Sequence, residues 1–427
     1  MARKHASKPS PKLVLRELFA SAPVLLAGVI AFAVAIQVSV AGEFRTTRPI
    51  VALRLMPVDA EARARLASQL AANSPSPDAR AAARELAQNA VLRSPLAPIA
   101  IRALAQLRAN DGSSSADQGA SRLFGEVERL TRRDNATQIW LVEHYLRRAL
   151  IPEAVRHLDI ALRTWSTGEA TLFPVLAVAA GDKRVADALI SRMKSRPGWA
   201  LPFASYMIGQ MPAEVSSYIL GRTLDPRIDD EKALIGIAMW RYASTGDYEA
   251  AVELHDRFQA GDRIAVDANQ INGGGFETDD ELPPFGWSYV QESGLWAAPE
   301  ALPDRNRALL LSASSGKSGE LARQLLQLRP GRYRLTARSG EVPLEIYQRP
   351  TLTVRCAGDD NTTLASAKPD SDRAGAGSIN RTFSVDGSCR FQWITISLTG
   401  PEIDRGERPW VDDVSIVQVD GPRVANQ

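Results

Sequence analysis

The sequence predicts a multidomain chain, α then β. It reads as an N-terminal transmembrane helix, an α-solenoid of helix–turn–helix repeats and a C-terminal antiparallel β-sandwich. Three observations predict this. Leu18 to Gly42 is apolar and carries no charge. From about 60 to 265, Ala, Leu, Arg and Glu recur at helical period. From Ile264 onward short alternating segments appear, separated by Gly, Pro, Asp and Ser. At 427 residues the chain exceeds one ordinary core, so several domains are expected.

The N-terminal segment comes first. MARKHASKPSPKLVLRE places Arg3, Lys4, Lys8, Lys12 and Arg16 against the single acid Glu17. The apolar run that follows exceeds the roughly 20 residues needed to span a bilayer. A basic flank of this kind keeps the N-terminus cytoplasmic and sends the remainder across. The rival reading is a cleaved signal peptide, because Ser39-Val40-Ala41 offers small residues to a peptidase. Both readings export the body of the chain. The Ala/Arg-rich composition points to a bacterium of high genomic GC content, hence to the inner membrane, single-pass, with the bulk periplasmic. The expected division is a basic tail over 1–17, a membrane helix over 18–42, a linker over 43–59, helical repeats over 60–265 and the sandwich over 266–427.

Charge excludes one function class. Charged residues are 23% of the chain and the formal net charge is +2, so nothing in the balance calls for nucleic acid. Cys356 and Cys389 stand 33 positions apart, outside any metal-ligand spacing. In an oxidising compartment they form a natural disulfide pair; in a reducing one they are two thiols.

Within the helical region, QIWLVEHYLRRALIPEAVRHLDIALR (138–163) sets Leu141, Tyr145, Ala154, Leu158 and Ala161 at the spacing of two close-packed helices. AMWRYASTGDYEAAVELHDRF (238–258) repeats the pattern with Tyr242, Gly246, Tyr248 and Ala251. These stretches resemble the tetratricopeptide repeat. Weaker copies carry Ala83, Ala87, Ala90 and Pro95, then Ala120, Phe124 and Val127, and 175–197 is a further candidate pair. The resemblance implies that stacked hairpins bind a protein partner on one face, with Glu143, Arg147 and Trp240 at inner-face positions. The plainer reading is a solvated i, i+4 charge pair and a packing tryptophan.

In the C-terminal part, RALLLSA, YRLTAR, PLEIY, TLTVRC, NRTFSV, FQWITISL and VDDVSIVQV read as strands. Asn272 to Glu277, Trp287, Leu328 to Leu335 and Asp412 to Ile416 form an ordered set that resembles the jelly-roll carbohydrate-binding modules attached to xylanases and cellulases. This chain departs from that pattern by an extra glycine in Gly273-Gly274-Gly275 and by a divergent middle. The resemblance implies a structural Ca2+ held by Glu277 and Asp412; the alternative is that both carboxylates hydrogen-bond turn amides. It also implies an envelope or exported polysaccharide as ligand. Period-2 alternation in FQWITISL puts Ile394, Ile396 and Leu398 toward the core, leaving Phe391 and Trp393 on the other face. Those two, with Tyr347, are the glycan-binding candidates; the alternative is that the pair is buried against the helices. Trp287, Trp296 and Trp410 read as packing or loop anchors.

Enzymatic readings are weaker. ALLLSASSGKSGELARQLLQL (308–328) imitates a phosphate-binding loop at Gly316-Lys317-Ser318, but Leu311 stands where the first glycine belongs, and the expectation is a strand, a flexible hairpin and the next strand. Asp279, Asp280 and Glu281 sit in a turn. His5, His144, His157 and His255 form no triad with a nucleophile. The expectation is a non-enzymatic adaptor, its helices holding a protein and its sandwich a glycan, beside exopolysaccharide assembly or export. Two alternatives stay open: an envelope scaffold whose jelly roll is purely structural, and an accessory subunit of a glycan-modifying enzyme.

Overall fold

The computed structural model describes residues 11–73, 76–111, 113–258, 269–278, 282–303, 306–358, 362–370, 375–402 and 408–420. Asp279, Asp280 and Glu281, singled out above, lie outside the described residues, as does the start of the basic tail. Among the described residues fourteen α-helices precede eleven strands, which form two antiparallel sheets packed as a β-sandwich. The chain divides into two compact units, Met1–Leu172 and Phe173–Gln427.

The first unit is helical. α1 (Pro11–Thr47) contains Ala27–Thr47, long and apolar enough to cross a membrane or to serve as a signal sequence. Val29, Ile30, Phe32 and Val34 on it are more than half exposed. α2 (Pro49–Leu55) follows, so the stretch expected as a linker is itself mostly helical. Arg45 then pairs with Asp59 at 2.9 Å and Glu61 at 3.2 Å, fastening the end of α1 to the start of the next helix. Next come α3 (Ala60–Asn73), α4 (Pro77–Arg93), α5 (Pro98–Ala109), α6 (Ser114–Leu130), α7 (Asn135–Arg147) and α8 (Ile151–Thr164).

Consecutive helices pack as hairpins because their inner faces are small. Ala67, Ala87 and Ala103 form one buried cluster, and Ala64, Ala90 and Ala100 another. The repeat positions read from the sequence point inward: Ala83, Ala120, Phe124, Val127, Leu141, Ala154, Leu158 and Ala161 are all buried. Side-chain oxygens start the helices, Ser76 on α4, Ser113 on α6 and Asp134 on α7, each accepting a backbone N–H of the first turn.

An aromatic run crosses this unit. Phe124 stacks on Trp140 at 4.1 Å, Trp140 on His144 at 4.7 Å, and Tyr145 on His157 at 5.3 Å between ring centroids. His157 is fully buried, 2.8 Å from Gln138 Oε1. Burial, then the Arg156 guanidinium, pulls its pKa down to about 4, against the opposing pull of Glu128.

The second unit begins within α9 (Gly168–Ala179) and continues with α10 (Lys183–Met193), α11 (Ala200–Gln210), α12 (Ala213–Thr223), α13 (Asp229–Thr245) and α14 (Tyr248–Phe258). α10, α12 and α14 lie side by side, and α11 lies beside α13. Gly246 ends α13 in the left-handed region at φ +87°, where a side chain would be strained.

The strands are β1 (Ser288–Tyr289), β2 (Gln291–Glu292), β3 (Leu295–Ala301), β4 (Arg307–Ala313), β5 (Ser318–Leu326), β6 (Gly331–Val342), β7 (Thr351–Cys356), β8 (Thr363–Ala367), β9 (Gly375–Val385), β10 (Gln392–Thr399) and β11 (Trp410–Asp420). One sheet runs β1-β5-β10-β7-β8, the other β2-β3-β4-β11-β6-β9. Leu321, Leu352, Val354, Ile394 and Ile396 meet Leu309, Leu311, Leu335, Val411 and Ile416 in one core between them. Trp287 joins that core against Phe276.

PLEIY is a correction: it forms no strand but a 3-10 turn, Ile346–Gln348, flanked by Pro343 and Pro350, which cannot donate to a ladder. SGELARQLL, though rich in helix formers, is strand β5, as expected for this stretch. Gly316 at φ +73° makes the turn between β4 and β5, which belong to opposite sheets, so the stretch resembling a phosphate-binding loop is strand, crossing turn and strand, with no helix after it and without the pairing of the expected hairpin.

The glycine-rich segment 269–278 laces the two sheets together. Asn269 Oδ1 accepts the Ile416 N–H at 2.9 Å, and Gly274 O accepts that of Val414 at 2.8 Å. Toward the other sheet, the fully buried Gln324 side chain accepts the Asn272 N–H and donates to its carbonyl at 2.8 Å. A Cβ on Gly274 would collide with the Val414 carbonyl, which is why glycine stands there.

Cys356 and Cys389 form a disulfide joining β7 to the segment before β10. A bridge closing a loop of 33 residues contributes about 3–4 kcal/mol in the chain-entropy model. Replacing both cysteines by serine is expected to lower the stability of the sheet unit by that amount, read from denaturant midpoints with and without reductant. The wild type in reductant should match the variant.

For His157 the sign follows from linkage. The unfolded imidazole takes a proton near pH 6.5, the folded one only near 4, so the unfolded state binds more protons in that window. Stability is therefore full above about pH 6.5 and falls as pH drops toward 4, by at most about 3 kcal/mol. Helical circular dichroism melts at pH 7 and 5 are expected to show about 2 kcal/mol of that loss, and His157→Gln to flatten it.

Candidate functional site

Strand β10 positions the site. Its register pairs Trp393 with Leu325 of β5 and Arg355 of β7, Thr395 with Arg323 and Thr353, and Ser397 with Glu320 and Thr351. Residues directly opposite one another share a face. The outer face of the five-stranded sheet therefore carries Trp393, Thr395, Ser397 and Thr399 on β10, with Thr351, Thr353 and Arg355 on β7. Arg323 and Glu320 stand on β5, and Ser366 on β8 lies opposite Thr353. The alternation that sends Ile394, Ile396 and Leu398 into the core sends this polar set outward.

At one end of the face the aromatics are engaged by helices of the same unit. Phe391 is buried, its ring 5.2 Å from Tyr248 of α14. Trp393 is half-buried and meets Trp240 of α13 edge to face at 6.2 Å. The Arg323 guanidinium lies 4.3 Å from the Trp240 ring centre and 5.3 Å from that of Trp393. Around them His255 stacks on Phe285 at 4.1 Å, and Arg390 pairs with Glu249 at 2.8 Å. Trp240, a protein-binding candidate in the sequence, thus contacts β10.

Farther along β10 the face opens. Arg355 pairs with Glu320, and register carries this ion pair diagonally across Thr395, which is buried. Thr351, Thr353, Ser397 and Thr399 remain partly exposed and Ser366 is exposed. At the far end the 3-10 turn lies beside β10 and presents Tyr347, 48% exposed, with Leu344 and Ile346 more so. Arg349 stitches this turn by donating to the carbonyls of Pro343 and Pro369. From Trp393 to Ser397 is four strand residues, about 13 Å. This strip of strand surface, the trough, has an aromatic at each end and hydroxyls with one ion pair between them.

Glu143 and Arg147 of α7 stand apart from this site, in the first unit. They form an exposed i, i+4 pair at 4.0 Å, and Arg147 also lies 3.9 Å from Asp117. Exposed pairs of this kind contribute about 0–1 kcal/mol.

Glu277 and Asp412 meet at neighbouring residues. Glu277 accepts the Arg307 backbone N–H at 3.0 Å, while buried Asp412 accepts from Asn306 at 2.8 Å and Arg338 at 2.7 Å. Its other oxygen accepts the Asp413 N–H, and Arg338 also binds Asp413 at 2.6 Å. As described, this donor set does not fit calcium: a guanidinium already supplies the positive charge, and among the described residues no three acidic, histidine or cysteine groups cluster.

Arg323, Thr353, Arg355 and Glu320 were not singled out in the sequence. TLTVRC contained the signal, Thr-Thr-Arg alternating with Leu-Val-Cys. Arg323 had none, because its segment is built of helix formers and carries no clear period-2 alternation.

No protein-family model matches the chain, and no curated protein matches it. Among solved structures, 35% of the chain is similar to the TmCBM61 module in complex with β-1,4-galactotriose, at 16% identity and a TM-score of 0.25, covering 99% of that chain. The same share is similar to a family 16 carbohydrate-binding module, at 18% identity and TM-score 0.25, covering all of it. It is also similar to the enzymatically active domain of tailspike protein 4 of bacteriophage CBA120, at 11% identity and TM-score 0.27; there the chain spans only 21% of that domain's length.

The Trp240–Trp393 contact should be energetically coupled. A double-mutant cycle through Trp240→Ala and Trp393→Ala is expected to give about 0.5–1.5 kcal/mol, and Trp240→Ala alone should red-shift tryptophan emission as Trp393 is uncovered.

Proposed function

We propose that the chain is a non-enzymatic, membrane-anchored adaptor of the bacterial envelope, with its body exported, whose β-sandwich holds a polysaccharide on the outer face of the five-stranded sheet. The observation that carries this reading is the trough between Trp393 and Tyr347. Sugar rings need an aromatic face to stack on and convergent hydroxyl or charged groups to orient them. Thr351, Thr353, Ser397 and the Arg355–Glu320 pair lie between those two aromatics. Formed by a row of strands, the trough suits a chain passing along it rather than a substrate enclosed for reaction. The apolar helix over Ala27–Thr47 supports anchoring, and the disulfide supports an oxidising compartment. The stacked hairpins, similar in pattern to tetratricopeptide repeats, would hold a protein partner. Exopolysaccharide assembly or export is the setting these parts suit together.

One observation favours a second reading. Phe391 is spent entirely on Tyr248 and Trp393 partly on Trp240, as in a sandwich that serves only to brace the helices.

A polysaccharide panel titrated against the full chain in detergent separates them. Saturable binding that Thr353→Trp abolishes, with an unchanged melting temperature, is expected from the adaptor. A folded protein that binds no glycan in the panel would establish the bracing role instead.

A further inference from the structure

Two guanidinium groups stand on the outer face of the five-stranded sheet, and they are treated differently. Arg355 has its acid in Glu320. Arg323 has neither a carboxylate nor a hydrogen-bond acceptor among the described residues; its contacts are the two indole rings of Trp240 and Trp393. Burial alone holds its pKa below the ordinary arginine value, and no acid opposes that shift. Directly opposite on β1, the Ser288 hydroxyl is buried without a partner as well.

No nitrogen of Arg323 is among the buried unpartnered polar atoms, so its N–H groups stay open to solvent, while an apolar side chain would fill the same gap between two tryptophans without holding a charge there. Aromatic contacts hold a guanidinium through its flat face and leave its edge N–H groups available to a ligand. That edge is the one that takes a carboxylate through two parallel hydrogen bonds.

We infer that Arg323 receives the carboxylate of an acidic sugar residue, so that the polysaccharide held in the trough is a uronate-containing, anionic one. This rests on the polysaccharide reading above and narrows it to a ligand class. Trp240 and Trp393 are positioning residues here, fixing the guanidinium, while Thr395 and Thr353 lie in register beside it.

The test titrates the full chain in detergent with polygalacturonate, its neutral methyl ester and polyglutamate at one fixed ionic strength. Polygalacturonate is expected to bind about tenfold tighter than the ester. Arg323→Met should erase that preference. Should this variant not fold, Arg323→Lys keeps the charge and loses the paired geometry, and the preference should shrink. Equal affinity for acid and ester, or a preference that survives Arg323→Met, overturns the inference while leaving glycan binding intact. Polyglutamate binding as tightly as polygalacturonate overturns it in favour of an acidic peptide. Binding of none of the three polymers or of any neutral glycan, by a folded protein, removes the polysaccharide reading itself.

Discussion

Strand β10 has two faces, and the period-two geometry of a strand requires each to be matched by something different. Its inward residues, Ile394, Ile396 and Leu398, close the core between the sheets. Its outward residues begin with an indole that helices partly cover, pass through the buried Thr395 and end with Ser397 and Thr399, which are partly exposed. A slip of one residue in its register would exchange those roles and destroy both the core and the trough. The disulfide from Cys356 to Cys389 and the Gln392 side chain, which binds the Leu328 N–H, hold that register at the β7 end. The glycine-rich segment holds the opposite layer, joining β11 to Gln324 on β5.

How much of this the sequence disclosed depended on whether local pattern and tertiary role agreed. In FQWITISL they agreed for the core side, Ile394, Ile396 and Leu398, and for Trp393 and Ser397 on the other, while Phe391 and Thr395 on that other side are buried. In SGELARQLL they conflicted: Glu, Leu, Ala, Arg and Gln favour helix, and sheet pairing overrode that preference. Arg323 lies in that strand and was invisible for the same reason. PLEIY misled in the other direction, because its alternation suggests a strand while the prolines at 343 and 350 remove the donors a ladder needs. Trp240 and Trp393 were each legible as outward aromatics, but their meeting depends on contacts more than 150 positions apart, which no local pattern carries.

Charge is handled in the sheet unit by guanidinium groups. Arg338 satisfies Asp412 and Asp413 where the resemblance implied a divalent cation, Arg355 satisfies Glu320, and Arg390 reaches Glu249 of α14. Each of these has an acid at hand. Arg323 stands outside the scheme, held by ring faces and not by a carboxylate. An adaptor for a charged polymer needs such a group: positioned by its neighbours, and neutralised only when the polymer arrives.

The most direct measurement of the central claim is a hydrogen-exchange footprint of the full chain with and without polygalacturonate. Amides of β5, β7 and β10, with the turn carrying Tyr347, should slow on addition of the polymer, while those of β4 and β11 in the opposite sheet stay unchanged. Protection confined to the helices, or spread evenly over both sheets, would contradict a binding site on this face.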